Sequence, residues 1–225
     1  MKTLGGVRNE KNEIAKAIEK MFCTNHNTKM EGMASLSTSP CNPICEARAK
    51  DPNSICSKCF ARAMANRFDA FNLKLEKNAD FLSRAVYSVD DMPLINYRFF
   101  RLEAFGDLTN TTQVKNYINL VKANPYTSFA LWTKNPSFIA EALKDGYKIP
   151  NNLVIIYSSP FMNAKADIEA LRVKYPFVNK VFTVYTDEAT ASGSGVKINC
   201  GARSCLKCHR CYSKKTAEEV NELLK

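Results

Sequence analysis

Eight of the nine cysteines fall into two tight sets, and no other feature of the chain limits its fold as much. Cys41, Cys45, Cys56 and Cys59 lie in CNPICEARAKDPNSICSKCFA with the spacing C-x3-C-x10-C-x2-C. Cys200, Cys205, Cys208 and Cys211 lie in CGARSCLKCHRCY with the spacing C-x4-C-x2-C-x2-C. Cys23 is left over. Cysteines that serve as small apolar core residues would be scattered singly on periodic faces. These sit beside Pro, Asn, Ser, Gly and Lys in loop-like sequence, as metal ligands do. A chain of 225 residues can bury a core without disulfide staples. Its first twenty residues, MKTLGGVRNEKNEIAKAIEK, are charged throughout and lack the apolar stretch of a signal peptide. The cysteines are therefore expected to be ligands in a reducing compartment, and the chain to be cytoplasmic. No run of about 18 apolar residues is present, so no membrane association is expected.

Two sets of four match two tetrathiolate sites. Zinc sites usually join two separate short knuckles, which the first set fits loosely. In the second set a middle cysteine serves two knuckles at once, a density more typical of [4Fe–4S] loops. Two [4Fe–4S] clusters are the favoured reading, with Zn²⁺ as the alternative. His209 lies inside the second set, where four thiolates already suffice. It is expected near the ligands rather than among them. Cys23 is expected to be a free thiol and His26 a loop residue.

The sites bear on the charge. Lys and Arg number 32 against 22 Asp and Glu, a formal +10. Each tetrathiolate site carries about −2, which lowers the effective charge to about +6. Part of the basic excess then balances buried anionic sites. The competing reading is a nucleic-acid footprint, with Arg203, Lys207, Arg210, Lys214 and Lys215 as its patch. Tyr212 and Trp132 would offer stacking surfaces there, although core packing is the favoured role for both rings.

Periodicity predicts helices over 9–22 and 60–76, with a second helical piece over 80–87. From about residue 95 strands and helices alternate. The strands are 97–105, 128–133, 152–159 and 179–186, preceded by 33–38 and followed by 196–199. The helices are 111–123, 137–146, 163–175 and a terminal one over 213–225. Short βα connections build parallel sheets through right-handed crossovers. The expected fold is α/β, a partial or distorted (β/α) barrel of about six mostly parallel strands. A doubly wound sheet is the alternative. No glycine-rich dinucleotide or phosphate loop follows any strand. No linker divides the chain, so one α/β domain is expected over 1–225. It comprises an N-terminal helical extension (1–30), a β/α core (31–199), and a cysteine cluster with a C-terminal helix (200–225).

Sites in such folds lie at the carboxyl ends of the strands. Both cysteine loops follow expected strands, so both are expected at that edge and within ~15 Å of each other. Arg101, Glu103 and Asp107 put three charges into seven residues at a strand end, and buried charges need partners. They are the catalytic candidates. Lys134, Ser158 and Tyr185 occupy equivalent strand ends and are candidates for holding a cofactor or a small-molecule substrate. Thr133, Asn135, Ser159 and Asp187 read as turn or capping residues of the same edge.

The strand, the cysteine loop closing in Cys59-Phe60-Ala61 and the helix after it resemble the opening of radical SAM enzymes. That resemblance implies a cluster with one open iron that binds S-adenosylmethionine, and a redox or radical-type reaction. The C-x3-C-x10-C-x2-C spacing departs from that family's C-x3-C-x2-C, and Phe105-Gly106-Asp107 stands where its glycine-rich contact motif would be. A closer resemblance is to the phage gene-product-88 family. It rests on Cys59-Phe60-Ala61, on Arg101-Leu102-Glu103-Ala104-Phe105-Gly106-Asp107, on Asn124-Pro125 leading into Phe129-Ala130-Leu131-Trp132-Thr133-Lys134, and on the Cys200-to-Cys211 cluster. It implies a phage or mobile-element origin, and hence the host cytosol.

Overall fold

The computed structural model describes residues 4–24 and 29–224, with side chains from residue 13 onward. His26 lies outside the described residues. Seven strands form one sheet, hydrogen-bonded in the order β1 to β7: Cys23–Thr24, Ala34–Leu36, Phe99–Leu102, Ser128–Thr133, Leu153–Ser158, Lys180–Tyr185 and Glu219–Leu223. β1 pairs antiparallel with β2, and every later pair is parallel. The sheet is open, because β1 and β7 do not meet. This is the partial β/α arrangement the alternation predicts.

Sequential strand order has a direct consequence. Right-handed crossovers taken always in the same direction put every helix on the same face. That face carries Ala34, Leu36, Phe100, Leu102, Phe129, Leu131, Leu153 and Ile155, all buried. The helices α1 (Leu4–Met21), α4 (Asp69–Arg84), α5 (Thr111–Ala123) and α6 (Pro136–Lys144) cover it with Ile18, Leu82, Val114, Tyr117, Ile118, Val121 and Ile139. α7 (Ile168–Lys174) and α8 (Glu188–Gly193) complete the series. No crossover helix remains for the other face, which holds Phe99, Arg101, Ala130, Trp132, Val154, Ile156, Phe182 and Val220 by strand alternation. The second cysteine segment covers it. Its short helix α9 (Cys205–Cys208) and the 3₁₀ turn Arg210–Tyr212 pack Cys205, Cys211 and Tyr212 onto Phe99, Ala130, Val154 and Ile156.

Local chemistry explains most element ends. The Asn110 side chain, rather than that of Thr111, caps α5 by accepting from Gln113 N. Asn135 precedes Pro136 at the first turn of α6, and Gly146 follows that helix with φ +87°. The expected helix over 60–76 breaks at Phe68, whose extended backbone separates α3 (Phe60–Arg67) from α4.

Two expectations fail at the C-terminus. Residues 196–199 are not a strand, and the expected terminal helix over 213–225 is replaced by β7. The open edge of β6 needs partners for its backbone groups, and Glu219–Leu223 supplies them in parallel register. The fully buried Lys180 fixes the approach, its Nζ donating to Thr216 O at 2.9 Å and Ala217 O at 2.8 Å. Segment 196–200 lies alongside β7, with Asn199 N and Cys200 N both donating to Asn221 O. Tertiary demand outweighs the helix propensity of AEEVNELL.

Candidate functional site

The first cysteine set is shaped by caps. Asn42 opens α2 (Pro43–Ala49) by accepting from Cys45 N at 2.9 Å, and its Nδ2 donates to Cys45 Sγ at 3.2 Å. Ser54 accepts from Cys56 N at the start of a 3₁₀ turn, and Cys59 Sγ accepts from Arg62 N at the start of α3. Backbone bonds from Ile55 N to Pro160 O and from Met162 N to Asn53 O tie this segment to the loop after β5. Cys45, Cys56 and Cys59 line a cavity of about 550 Å³ over the strand ends. Cys41 is not in that lining and has Asn66 Oδ1 3.6 Å from its thiol. Burial pushes the Cys45 thiol up to about 12.

The second set is more enclosed. Cys200, Cys205, Cys208 and Cys211 all line a cavity of about 300 Å³. Lys29 Nζ donates to Cys200 Sγ at 3.2 Å and to Glu222 Oε1 at 2.9 Å, and these partners raise its pKa against the opposing effect of burial. Burial pushes the Cys211 thiol up to about 12, while Arg101 pulls the other way. Cys205 is raised by burial and opposed by Lys29 and Arg101. His209 makes the turn after α9 at φ +38° and stacks its ring over Phe99, with centroids 5.9 Å apart. It also lines the cavity, beside the thiols as expected.

The two cavities share Phe60, Arg101, Phe105, Trp132, Phe182 and Glu222 as walls, so they are adjoining halves of one cleft. Both cysteine sets border it, from different supports. The first set hangs over the carboxyl ends of the strands, whereas the second lies across the sheet face. Among the described residues no disulfide joins any of the nine cysteines. Among the described residues, no three His, Cys, Asp or Glu side chains converge where one metal ion would be held. A lone zinc ion requires four sulfurs each about 2.3 Å from it. The thiols of the second set line one wall of a shared cavity without converging on a point.

The charged strand end is built differently from expectation. Glu103 is buried at φ +57°. It accepts from Gln113 Nε2 at 2.7 Å, from Thr38 Oγ1 at 2.9 Å, from Thr38 N at 3.2 Å and from the Tyr117 hydroxyl. Burial pushes its carboxyl up to about 8 against the pull of the Tyr117 and Thr38 hydroxyls. Asp107 is buried and accepts from Thr133 Oγ1 at 2.6 Å, Leu108 N at 2.8 Å, Lys134 N at 3.0 Å and Arg48 at 3.3 Å. Between the two, Gly106 at φ +79° sits so tightly that a Cβ would lie 2.5 Å from Thr38 O. Both carboxylates thus use their lone pairs to lock the ends of β2, β3 and β4 and α2 together. Arg48, Tyr117 and Gln113 were not marked by any sequence motif, because they meet the acids only in three dimensions.

Arg101 and Lys134 face the cleft. Arg101 lies over Trp132, 4.0 Å from the ring, with its Nε buried and without a partner. Lys134 Nζ donates to Ser158 Oγ at 3.1 Å, so these two cofactor candidates meet. Tyr185 does not join them. Strand alternation turns it to the opposite face from Phe182 and Val184, where it is buried against Ala191 and Val196. Asp187 caps α8, and Asn135 bonds Leu108 O, as turn residues would. Tyr212 is buried under Phe99, the packing role expected for it. Among the described residues no helix is long and apolar enough to cross a membrane.

No curated protein and no solved structure matches the chain. Nothing found supports the likeness to radical SAM enzymes. A protein-family model, however, spans nearly all of the residues that form this cleft and sheet. Over residues 9–220 it matches gene product 88, and the chain belongs to that family.

Proposed function

We propose that the chain is a metal-cluster protein whose two four-cysteine sets bind iron–sulfur clusters and serve a redox reaction in a phage or mobile element. The observation that carries this reading is the second set: four thiols on the wall of one 300 Å³ cavity, with Lys29 Nζ 3.2 Å from one of them. Cluster thiolates are bound deprotonated, and nearby cations lower the cost of that charge. Lys29 and Arg101 are the cations placed to do so. Trp132 and Tyr212 line the cavity, and Phe99 packs against Tyr212. A bound [4Fe–4S] cluster supplies one-electron transfer. The protein holds it, sets its surroundings and presents it to a cleft. S-adenosylmethionine is not part of this proposal, because no residue here matches its contact motif.

The test is anaerobic purification followed by analysis of iron, acid-labile sulfide and zinc. Equal amounts of iron and sulfide, with broad visible absorption that bleaches on reduction, support the reading. Colourless protein holding stoichiometric zinc overturns it, and the two sets are then structural sites of the kind that would brace a nucleic-acid-binding module.

A further inference from the structure

We propose that the 550 Å³ half of the cleft is a binding site for a small organic phosphate carrying a flat ring, the chemistry of a nucleoside monophosphate. The inference starts from a charge imbalance. Lys58, Arg62, Arg101 and Lys134 line this cavity, and among the described residues none forms an ion pair with an acid. The three acids of the same wall are already engaged. Asp107 is paired with Arg48, Glu222 with Lys29, and Glu103 is enclosed by four internal donors. Among the described residues the Lys134 ammonium donates to a neutral hydroxyl, that of Ser158. Among the described residues the buried Arg101 Nε has no hydrogen-bond partner, while its Nη1 lies 3.7 Å from Met30 Sδ. Cations gathered along one cleft and not ion-paired with carboxylates attract an anion. More than one cation favours a dianion such as a phosphate monoester over a single carboxylate.

The rest of the wall indicates what the anion is attached to. Phe60, Phe105, Trp132 and Phe182 form the apolar side of the cavity, and the Phe60 ring is 64% exposed at its mouth. An exposed aromatic ring and half-buried ones beside a cationic end suit a stacked planar ring with a charged tail. The volume lies in the range of small-molecule pockets. The position is the carboxyl end of β4 and β5, where α/β sheets place their ligands. The site rests on and deepens the cluster reading, since it puts a small molecule beside the first cysteine set, and its test reads nucleotide binding separately from metal content.

Adenosine monophosphate is the probe, titrated calorimetrically into anaerobically purified protein whose metal and sulfide content is measured on the same sample. Binding is expected, with adenosine and inorganic phosphate each weaker by about tenfold or more. Lys134→Gln and Arg62→Gln are each expected to weaken it by about tenfold while leaving metal content and circular dichroism unchanged. No binding overturns the proposal, as does an affinity that both variants leave untouched. Inorganic phosphate binding as tightly as the nucleotide overturns the ring-bearing part. Cluster content without nucleotide binding removes this site alone. Nucleotide binding to zinc-loaded protein removes the cluster reading alone.

Discussion

The two cysteine sets have the same number of thiols and stand in opposite structural positions. The first is held by its own caps, with Asn42, Ser54 and Cys59 each accepting from a backbone N–H within the segment. Its ties to the sheet are backbone bonds to the loop after β5 and the Arg48–Asp107 pair. The second set has little structure of its own, a four-residue helix and one 3₁₀ turn. It is instead part of the core, because its residues cover the sheet face that sequential topology leaves bare. A ligand loop that caps itself can lose a thiol and keep its shape. A ligand loop that doubles as a core layer cannot.

The largest expected effect tests that contrast directly. Metal binding by thiolate sets contributes folding free energy on the order of 10 kcal/mol per site. Cys208→Ala should give insoluble or metal-poor protein, because the segment over β4 and β5 loses its bound centre. Cys45→Ala should lose metal from the first set yet remain folded by circular dichroism. Equal loss of fold in both variants would erase the distinction, and full metal content in Cys208→Ala would remove the second site.

The next effect concerns the acids beneath the first set. The folded state keeps the Glu103 carboxyl near 8, against about 4.5 without that environment. Between those values the native state binds a proton that the unfolded chain has released. Stability attached to this group is therefore present at low pH and lost as pH rises toward 8, a change on the order of 4 kcal/mol. Melting temperature should fall from about pH 5 to about pH 8, and Glu103→Gln should flatten that slope. A slope unchanged in the variant would assign the pH dependence elsewhere.

A smaller effect is expected from the joint between the first set and the strands. Asp107→Ala removes four acceptor contacts and leaves Arg48 unpaired, a cost of about 3 kcal/mol. The loss should appear as a lower melting temperature, with metal retained by the second set. Loss of metal from both sets would show that the two regions are coupled through this joint. The smallest effect belongs to Cys23, which lies outside both sets and has Lys74 Nζ at 3.6 Å from its thiol. Cys23→Ala should change stability by less than about 0.5 kcal/mol and metal content not at all.

Much of this was legible in the chain. The spacing of apolar residues gave the positions of β3 to β6 and of α5 and α6, because each of those elements buries one periodic face against the same core. Asn-Pro and Gly signals marked their ends. The cysteine spacing separated eight residues from a ninth without reference to any structure. The candidate acids were found because charge in a buried strand end is rare, but the partners that hold them were not. Nothing in the sequence says that Gln113, Tyr117 and Thr38 will close around Glu103, or that Arg48 will reach Asp107, 59 positions further along the chain.

What the sequence determined by itself is therefore local and periodic: helix faces, strand alternation, caps and ligand spacing, each set by residues within a few positions of one another. The tertiary structure decided what depends on distant partners. It made residues 219–223 a strand, since β6 offered an unpaired edge and Lys180 a buried anchor. It laid the second cysteine set across the sheet, since crossovers of one hand covered only the other face. It left Arg101 and Lys134 facing a shared cleft with no ion pair to an acid among the described residues, since the acids nearby were already bonded to groups brought in from other elements.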